Sequence, residues 1–434
     1  MEKHGKLKAK QTAKLPKGFQ LSGVKANIKY KNRLDLALIY SEAACKSAGV
    51  WTQNSVQAAC ITYNKANIQN DIHAILVNAG CANACTGGQG EENCKITAQG
   101  LAKLLRLESK HVLLASTGVI GVQLPMSRIL KSLPKLIGRK NNNKDSIKAA
   151  SRAIMTTDTF AKTYGIACKF SQNEKIDSKD NKTNEIQTTQ DKKNVKQKFR
   201  IWGMAKGSGM IHPNMATMLG FILTDVSIAK NLLQDALSEV TRQTFNQISV
   251  DGDTSTNDMV IVLANGEAKN KEITTKNADY DLFKAGLKKV CTKLAKQIAS
   301  DGEGATHLLE VSIKNAKSLE QAQLLGKSII GSNLVKTAIF GKDANWGRII
   351  CAMGYSNAEF NASKFDLAFE SKKGKITIVK NGASVPFNEG RAKNILSDNA
   401  IRIIVDLQDG KCSAKAWGCD LSYDYIKINA DYRS

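Results

Sequence analysis

The stretch from Lys206 to Asp225, at the middle of the 434-residue chain, constrains the fold more than any other. It opens with a glycine-rich loop, passes through the turn at Pro213 and Asn214, and continues as an unbroken apolar run. This order is typical of a flexible loop that leads into a buried strand. Thr217 is therefore predicted at the loop-to-strand junction, where the strand would hold its hydroxyl while the loop leaves one side open. For most threonines in such a place, the ordinary interpretation is a β-branched residue that enters a strand.

Apolar and β-branched segments elsewhere predict further strands, and apolar residues at helical spacing predict helices between them. The predicted strands are residues 35–40, 72–78, 112–116, 365–369, 375–380, 401–407 and 412–419. The predicted helices cover residues 101–107, 147–155, 228–240 and 283–298. Asp145 and Ser146 are expected to begin the second, and Ser227 the third. The pattern indicates an α/β fold of mixed sheets packed with helices, strand-rich from about residue 360.

The composition is that of an ordinary globular protein with a strong positive charge. Lysine and arginine number 63 against 39 acidic residues, which gives a formal net charge of +24. The lysines are spread along the whole chain, without a compact basic tract interleaved with aromatic residues, so nucleic-acid binding ranks low. The N-terminus carries charge but no apolar core, and no apolar run is long enough to span a bilayer. We therefore expect a cytoplasmic protein without a membrane or nucleic-acid partner.

The ten cysteines are predicted to be reduced thiols, because disulfide frameworks are typical of small exported domains and this long chain shows no export signal. Cys81, Cys85 and Cys94 lie close together, but their spacing matches no paired metal-binding pattern. All three are interpreted as small buried hydrophobic residues, and no metal site is expected.

Residues 171–198 differ from the rest of the chain. They are rich in lysine and acidic residues and contain very few apolar ones. Such a segment buries too little apolar surface to offset the entropy of ordering it. It is predicted to be a mobile polar insert between two strands, away from the chemistry.

Eight segments, in order along the chain, resemble the glutamate N-acetyltransferase family, also called ornithine acetyltransferases. The resemblance covers nearly the whole chain except the insert. The segments are residues 78–87, 117–121, 156–159, 206–225, 249–260, 301–306, 341–349 and 421–434.

The resemblance implies a self-cleaving acetyltransferase fold. The scissile bond would join Ala216 to Thr217, giving an α chain of residues 1–216 and a β chain of residues 217–434 that begins with the nucleophile. Each piece would hold essential parts of the site, so the two must stay associated. The implied assembly is a heterotetramer of two α and two β chains.

The resemblance also assigns roles to individual residues. Thr117 and Gly118 follow a strand and together offer a hydroxyl and an unhindered backbone N–H, the pair of donors that stabilises an oxyanion, and the family uses the matching residues in this way. The implied substrate ligands are Thr156, Lys206, Thr217, Glu303, Asn429 and Ser434.

The implied activity is transfer of an acetyl group from N2-acetylornithine to glutamate, a step of arginine biosynthesis, through an acetyl ester on Thr217. The freed α-amine of Thr217 would be the general base, so no cofactor is expected. Whether acetyl-CoA is also a donor is left open by the sequence. Two alternatives stay open as well: an N-terminal-nucleophile aminopeptidase or amidohydrolase that uses the same Thr217, and a basic RNA-binding protein.

Overall fold

The computed structural model describes residue 7 and residues 9–170, 197–212 and 218–430. Within these residues, sixteen strands form two mixed sheets, and helices cover the sheet faces. The predicted α/β class of mixed sheets packed with helices is confirmed.

The strands are β1 (Ala9–Gln11), β2 (Phe19–Val24), β3 (Leu36–Trp51), β4 (Ile72–Cys81), β5 (Val112–Val119), β6 (Lys162–Lys169), β7 (Lys198–Lys206), β8 (Leu219–Thr224), β9 (Ile248–Ser249), β10 (Met259–Ala264), β11 (Leu308–Ala316), β12 (Asp366–Ser371), β13 (Gly374–Lys380), β14 (Ala383–Ser384), β15 (Ala400–Asp406) and β16 (Cys412–Cys419). The α-helices are α1 (Ala59–Asn67), α2 (Gly87–Leu105), α3 (Met126–Gly138), α4 (Lys144–Ala153), α5 (Lys230–Gln243), α6 (Ala278–Ser300), α7 (Leu319–Gly331), α8 (Asn333–Phe340), α9 (Trp346–Gly354), α10 (Glu389–Ile395) and α11 (Tyr423–Ala430).

The first sheet has the order β1-β6-β7-β8-β10-β3-β4-β5, with β2 paired to β3 as a branch. Strand β8 lies near its centre, antiparallel to β7 and parallel to β10. All six residues of β8 are buried, as its unbroken apolar sequence predicts. The central strand of the prediction is confirmed, and it begins two residues after Thr217.

The hydrophobic core consists of three clusters of buried side chains, which lie on the faces of the two sheets. One face of the first sheet packs against α1 to α4. Its other face packs against α5 and α6, and α6 also contacts β11 and β16 of the second sheet. The second sheet, ordered β14-β13-β12-β15-β11-β16-β9, is covered on its far face by α7, α8 and α9. Helix α6 therefore lies between the two sheets and fixes one relative to the other.

The predicted strands are confirmed with small changes at their ends, except that β3 is much longer than residues 35–40. It runs for 16 residues, and only its first part is continuously buried. Exposed side chains interrupt the strand at Glu42, Ala44 and Lys46, and residues 46–51 pair with β10. The sequence prediction stopped where the apolar run stopped, although backbone pairing continues further.

Two predicted helix starts are wrong. Helix α5 begins at Lys230 after Ala229, because the backbone N–H and carbonyl of Ser227 are both bonded to the Asn270 side chain. Helix α4 is capped by Asn143, whose side chain accepts a bond from the backbone N–H of Ser146. In both cases the hydrogen bonds of an asparagine side chain explain why the predicted serine does not begin the helix.

All ten cysteines are free thiols. Cys81 and Cys94 are buried, as predicted, but Cys85 is exposed. It lies in the loop between β4 and α2, where the backbone has a positive φ of 54°. The prediction of a buried Cys85 is therefore wrong.

None of the helices within the described ranges combines the length and the apolar character needed to cross a membrane. The cleavage point at residues 216 and 217 and nearly all of the 171–198 insert lie outside the described residues. The division into an α and a β chain therefore stays a prediction.

The central position of β10 yields a stability prediction. Ile261 is fully buried and lies between β8 and β3 in the sheet. Replacing it with alanine should lower the free energy of unfolding by roughly 2–5 kcal/mol, seen as a lower urea midpoint. The matched control is Val56→Ala, since 47% of the Val56 side chain is exposed. Equal midpoints for the two variants would contradict the core assignment of β10.

Candidate active site

The parallel strands β4 and β5 end side by side and form one corner of the site. Thr117 pairs with Ala79, and Gly118 with Gly80. Gly118 has φ of +132°, and a Cβ there would lie 2.3 Å from the carbonyl carbon of Gly80. Both the torsion angle and the close approach require glycine at this position. The strand end therefore places Gly118 beside Thr117 in the wall of the pocket.

Asn257 fixes this corner from the side. Its amide nitrogen donates to the carbonyl oxygens of Ala82 at 2.6 Å and Ser116 at 2.8 Å. Its amide oxygen accepts from the Thr256 hydroxyl at 2.6 Å. One buried side chain therefore joins the ends of β4 and β5 to the loop before β10.

Lys206, the last residue of β7, reaches the same corner. Its Nζ donates to Thr117 Oγ1 at 3.3 Å. Burial lowers the pKa of the Lys206 ammonium, and the charge of Asp158 acts in the opposite direction. Because the Thr117 oxygen accepts from Lys206, the hydroxyl hydrogen of Thr117 is free to point elsewhere in the pocket.

A buried ion cluster of Asp158, Lys162 and Asp301 lies directly behind Lys206. The Lys162 Nζ is fully buried and contacts both carboxylates, at 2.6 Å from Asp158 Oδ1 and at 2.5 Å from Asp301 Oδ2. Lys162 is the first residue of β6, and Asp301 follows α6 directly. The cluster therefore joins the first sheet to the end of the helix between the two sheets.

The two carboxylates also bind the loops that carry the site. Asp158 accepts from the backbone N–H groups of Thr156 at 3.0 Å and Gly207 at 2.8 Å. Burial alone would raise the pKa of Asp158, but Lys206 and Lys162 together with these bonds hold it at about 2. The backbone carbonyl of Asp301 accepts from the Ser208 hydroxyl at 2.6 Å.

Glu303 forms the opposite wall. Its backbone N–H donates to the Ser208 carbonyl at 3.0 Å. Its carboxylate lies against Gly209, where a Cβ would be 2.2 Å from Oε2, and it accepts from Asn429 Nδ2 at 2.9 Å. The absence of a side chain at Gly209 thus leaves room for the Glu303 carboxylate against the loop that precedes the proposed nucleophile.

These groups surround a pocket of about 140 Å³. Thr117, Gly118, Thr156, Lys206, Glu303 and Asn429, all predicted from the sequence as site residues, line it. Met218 and Leu219 line it too, and they follow Thr217 directly. Ala216, Thr217 and Ser434 lie outside the described residues, so their placement stays a prediction, as do the chemical roles of all these residues.

The structure changes the interpretation of Lys206. Without the family resemblance, the sequence favoured a solvated loop lysine, whereas the side chain is buried at a strand end. Asn257 belongs to the segment 249–260 that resembles the family, and it lines the pocket. Lys162, which lies behind the pocket, was not among the residues predicted for the site.

No group of three or more His, Cys, Asp or Glu side chains in the described part of the chain is arranged to hold a metal ion. The side chains that line the pocket carry one ammonium (Lys206), two carboxylates (Asp258 and Glu303), hydroxyls and amides. This set suits the recognition of a charged amino acid and the stabilisation of an oxyanion.

Comparisons with known proteins identify the family. The model of the ArgJ family matches residues 20–180 and 174–434. The chain belongs to the ArgJ family. It is 47% identical over 421 residues to "Arginine biosynthesis bifunctional protein ArgJ" of Caldanaerobacter subterraneus subsp. tengcongensis, covering 97% of this chain and 98% of that protein.

Two further members of the ArgJ family are similar to the chain. "Arginine biosynthesis bifunctional protein ArgJ 1" of Clostridium acetobutylicum is 46% identical over 420 residues, or 96% of each protein. The crystal structure of "Arginine biosynthesis bifunctional protein argJ" from Bacillus halodurans matches the chain with 49% sequence identity and a TM-score of 0.46. The match covers 48% of this chain and 97% of the chain in that structure. Membership of the ArgJ family favours the acetyltransferase among the activities considered from the sequence.

The buried ion cluster yields a prediction. Lys162→Met should lower the free energy of unfolding by roughly 3–5 kcal/mol, because it leaves two buried carboxylates without their shared cation. The measurement is urea unfolding at pH 7. Folding lowers the pKa of the Asp158 carboxyl from 3.8 to about 2. Its contribution to stability is therefore complete above pH 3.8, as at pH 7, and is lost as the pH falls toward 2.

The matched control for this variant is Lys276→Met. Lys276 forms a 2.8 Å ion pair with Asp235 in which both side chains are more than half exposed. Exposed pairs of this kind contribute about 0–1 kcal/mol. If the two methionine variants lost the same stability, the buried cluster would contribute no more to the fold than an exposed ion pair.

Proposed function

We propose that this chain is an acetyltransferase of arginine biosynthesis that moves the acetyl group of N2-acetylornithine to glutamate through an ester on Thr217. One observation carries the proposal. The pocket that contains Thr117, Gly118 and Lys206 is also lined by Met218, the neighbour of Thr217 in the chain. Membership of the ArgJ family supports the same reaction.

The reaction begins with cleavage of the chain. The Thr217 hydroxyl attacks the carbonyl carbon of Ala216, the peptide C–N bond breaks, and the acyl group moves from nitrogen to oxygen. Water then hydrolyses the ester and leaves Thr217 as a new N-terminus. A free α-amine has an ordinary pKa of about 8, so it can serve as the general base for its own hydroxyl near neutral pH.

Acetyl transfer follows in two steps. Thr217 Oγ attacks the acetyl carbonyl of N2-acetylornithine, and its proton passes through the α-amine to the departing nitrogen of ornithine. The amine of glutamate then attacks the carbonyl carbon of the Thr217 ester, and the ester C–O bond breaks. An amine proton passes through the α-amine to Thr217 Oγ, and N-acetylglutamate leaves. In both steps the developing oxyanion accepts bonds from the Thr117 hydroxyl and the Gly118 N–H. The Lys206 ammonium, 3.3 Å from Thr117 Oγ1, makes that hydroxyl a stronger donor.

The two substrates share an α-carboxylate, which Lys206 would bind as a compact point charge. Glu303 would attract the ammonium groups of the amino acid, and Thr156, Asn429 and Ser434 would complete the pocket. Glu303 is suited to this role because it is buried and held by Asn429 in a fixed orientation. The ester on Thr217 is itself the acyl carrier, so the reaction is of the ping-pong type and requires no cofactor.

The α and β chains would remain associated after cleavage. Strand β7 precedes the scissile bond and β8 follows it, and the two are antiparallel neighbours from Ile201 to Lys206. Strands β3 and β10, also on opposite sides of the bond, pair over six residues. One continuous sheet thus spans both pieces, which supports a stable αβ unit. Two such units would form the heterotetramer.

Replacement of the nucleophile tests the proposal. Thr217→Ala should abolish both chain cleavage and acetyl transfer, because the variant lacks the attacking oxygen. Intact-mass analysis of the purified wild type should give two fragments that meet at residues 216 and 217. Thr217→Ser is the matched control and should still be cleaved. An uncleaved chain that transfers acetyl groups at the wild-type rate would refute the α-amine as base.

A second substitution tests the oxyanion corner. Thr117→Ala should reduce the rate constant of acetyl transfer by about 10²–10³-fold, since one preorganised donor is lost. Thr117→Ser keeps the hydroxyl and should recover most of the rate. Single-turnover acetylation of the enzyme, followed by mass, measures this step directly. An alanine variant with unchanged kcat and an unchanged unfolding midpoint would remove Thr117 from the mechanism.

A further inference from the structure

One segment of the chain contacts the residues on both sides of the proposed cleavage point. Residues 213–217 lie outside the described ranges, so His212 is the last described residue before the scissile bond and Met218 is the first after it. The segment that reaches both sides consists of residues 249–259, from the end of β9 to the first residue of β10. We call this segment the clamp.

On the side before the scissile bond, the Asp251 carboxylate of the clamp binds two successive backbone N–H groups. Oδ2 accepts from Met210 at 2.6 Å, and Oδ1 accepts from Ile211 at 2.7 Å. Hydrogen bonds to a charged acceptor are stronger than bonds between neutral groups. Burial raises the pKa of Asp251, and these two bonds act in the opposite direction. Part of the hydration of the carboxylate is thus replaced by bonds to the chain that leads to the cleavage point.

Met210 depends on such a partner because of its backbone conformation. Its φ is +57°, in the left-handed region, which is unfavourable for a residue that carries a Cβ. Met210 is also 43% exposed, so packing of its side chain does little to stabilise this conformation. A strained residue persists only where its surroundings hold it in place. The bond from the Met210 N–H to Asp251 is therefore the interaction that offsets the strain.

Further contacts with the clamp fix the next two residues. The Val250 N–H donates to the Ile211 carbonyl at 2.6 Å, and the Thr254 hydroxyl donates to the His212 carbonyl at 3.1 Å. The His212 ring is bound as well, with 2.9 Å between its Nδ1 and the Ser249 hydroxyl oxygen. The chain is thus held up to the last described residue before the scissile bond.

On the side after the scissile bond, the end of the clamp becomes the first pairing of β10. The Met259 N–H donates to the Met218 carbonyl at 3.0 Å, and Met259 lies opposite Leu219 in the parallel ladder. All residues of β8 and β10 are buried, so this pairing belongs to the core. Five residues, 213–217, separate the two ends that the clamp holds.

Holding both ends of this span favours the cleavage chemistry. The Thr217 hydroxyl must reach the carbonyl carbon of the residue before it, and a freely moving chain brings the two together in few of its conformations. Ordering the reacting groups before the reaction removes much of the entropic part of the barrier. A short span between two fixed ends has far fewer conformations than a free chain, so part of this ordering is complete when the protein has folded.

We propose that Asp251 is a positioning residue for chain cleavage, which holds Met210 in the left-handed conformation and so fixes one end of the span that contains the scissile bond. The inference rests on the proposed function, because it concerns the cleavage that makes Thr217 an N-terminus. Asp251 acts only through the backbone and exchanges no proton with the reacting atoms. It is not among the described residues that line the pocket.

Asp251→Asn tests the inference. An amide keeps one acceptor oxygen but turns an NH2 group toward the second backbone N–H, so one of the two bonds is lost. The rate constant of chain cleavage should fall about tenfold or more. Pulse labelling during cell-free synthesis, followed by separation of the full-length chain from its fragments, measures this rate. Asp235→Asn is the matched control, because the Asp235 side chain is exposed on α5, and it should be cleaved like the wild type.

A second substitution shows whether Asp251 acts through Met210. Glycine adopts a φ of this sign without the penalty of a Cβ. Met210→Gly, added to Asp251→Asn, should therefore restore most of the cleavage rate. Met210→Ala removes the same side chain but keeps the Cβ, and it should leave the rate low. The two double variants differ only by one methyl group, so the comparison holds even where Asp251→Asn lowers the urea midpoint.

Two results would overturn the inference while leaving the proposed function intact. In one, Asp251→Asn is cleaved at the wild-type rate. In the other, Met210→Gly and Met210→Ala have the same effect on the cleavage of Asp251→Asn, which would show that strain at residue 210 is not what the carboxylate offsets. A wild-type chain that is never cleaved would contradict the proposed function itself, and the role of Asp251 with it.

Discussion

The position of the whole site depends on the buried charges of Asp158, Lys162 and Asp301. Two carboxylates and one ammonium would leave an uncompensated negative charge in the core, and Lys206 supplies the second cation. A buried charge is costly unless it is paired, so each member stabilises the position of the others. The same Asp158 carboxylate binds the backbone of Thr156 and Gly207. Charge neutrality behind the pocket thus determines where Lys206 lies within it.

The sequence predicted the elements whose burial is continuous, because such burial leaves an apolar pattern in the chain. Strand β8 is the best example, with six buried residues in succession. The second half of β3 was missed because exposed residues at positions 42, 44 and 46 interrupt its apolar pattern, although its backbone continues and pairs with β10. The start of α5 was predicted wrongly because the side chain of Asn270, 43 residues further along the chain, forms a hydrogen bond with the backbone of Ser227. A local sequence pattern does not reveal a hydrogen bond between residues so far apart in the chain.

The candidate site was predictable in part. The place of Gly118 after a strand indicates an oxyanion corner from the sequence, and its φ and its close approach to Gly80 explain why the residue is glycine. Lys206 and Glu303 were found only through family resemblance, since an isolated charged residue in a loop is usually solvated. The ion cluster was not predictable, because Lys162 and Asp301 are 139 residues apart.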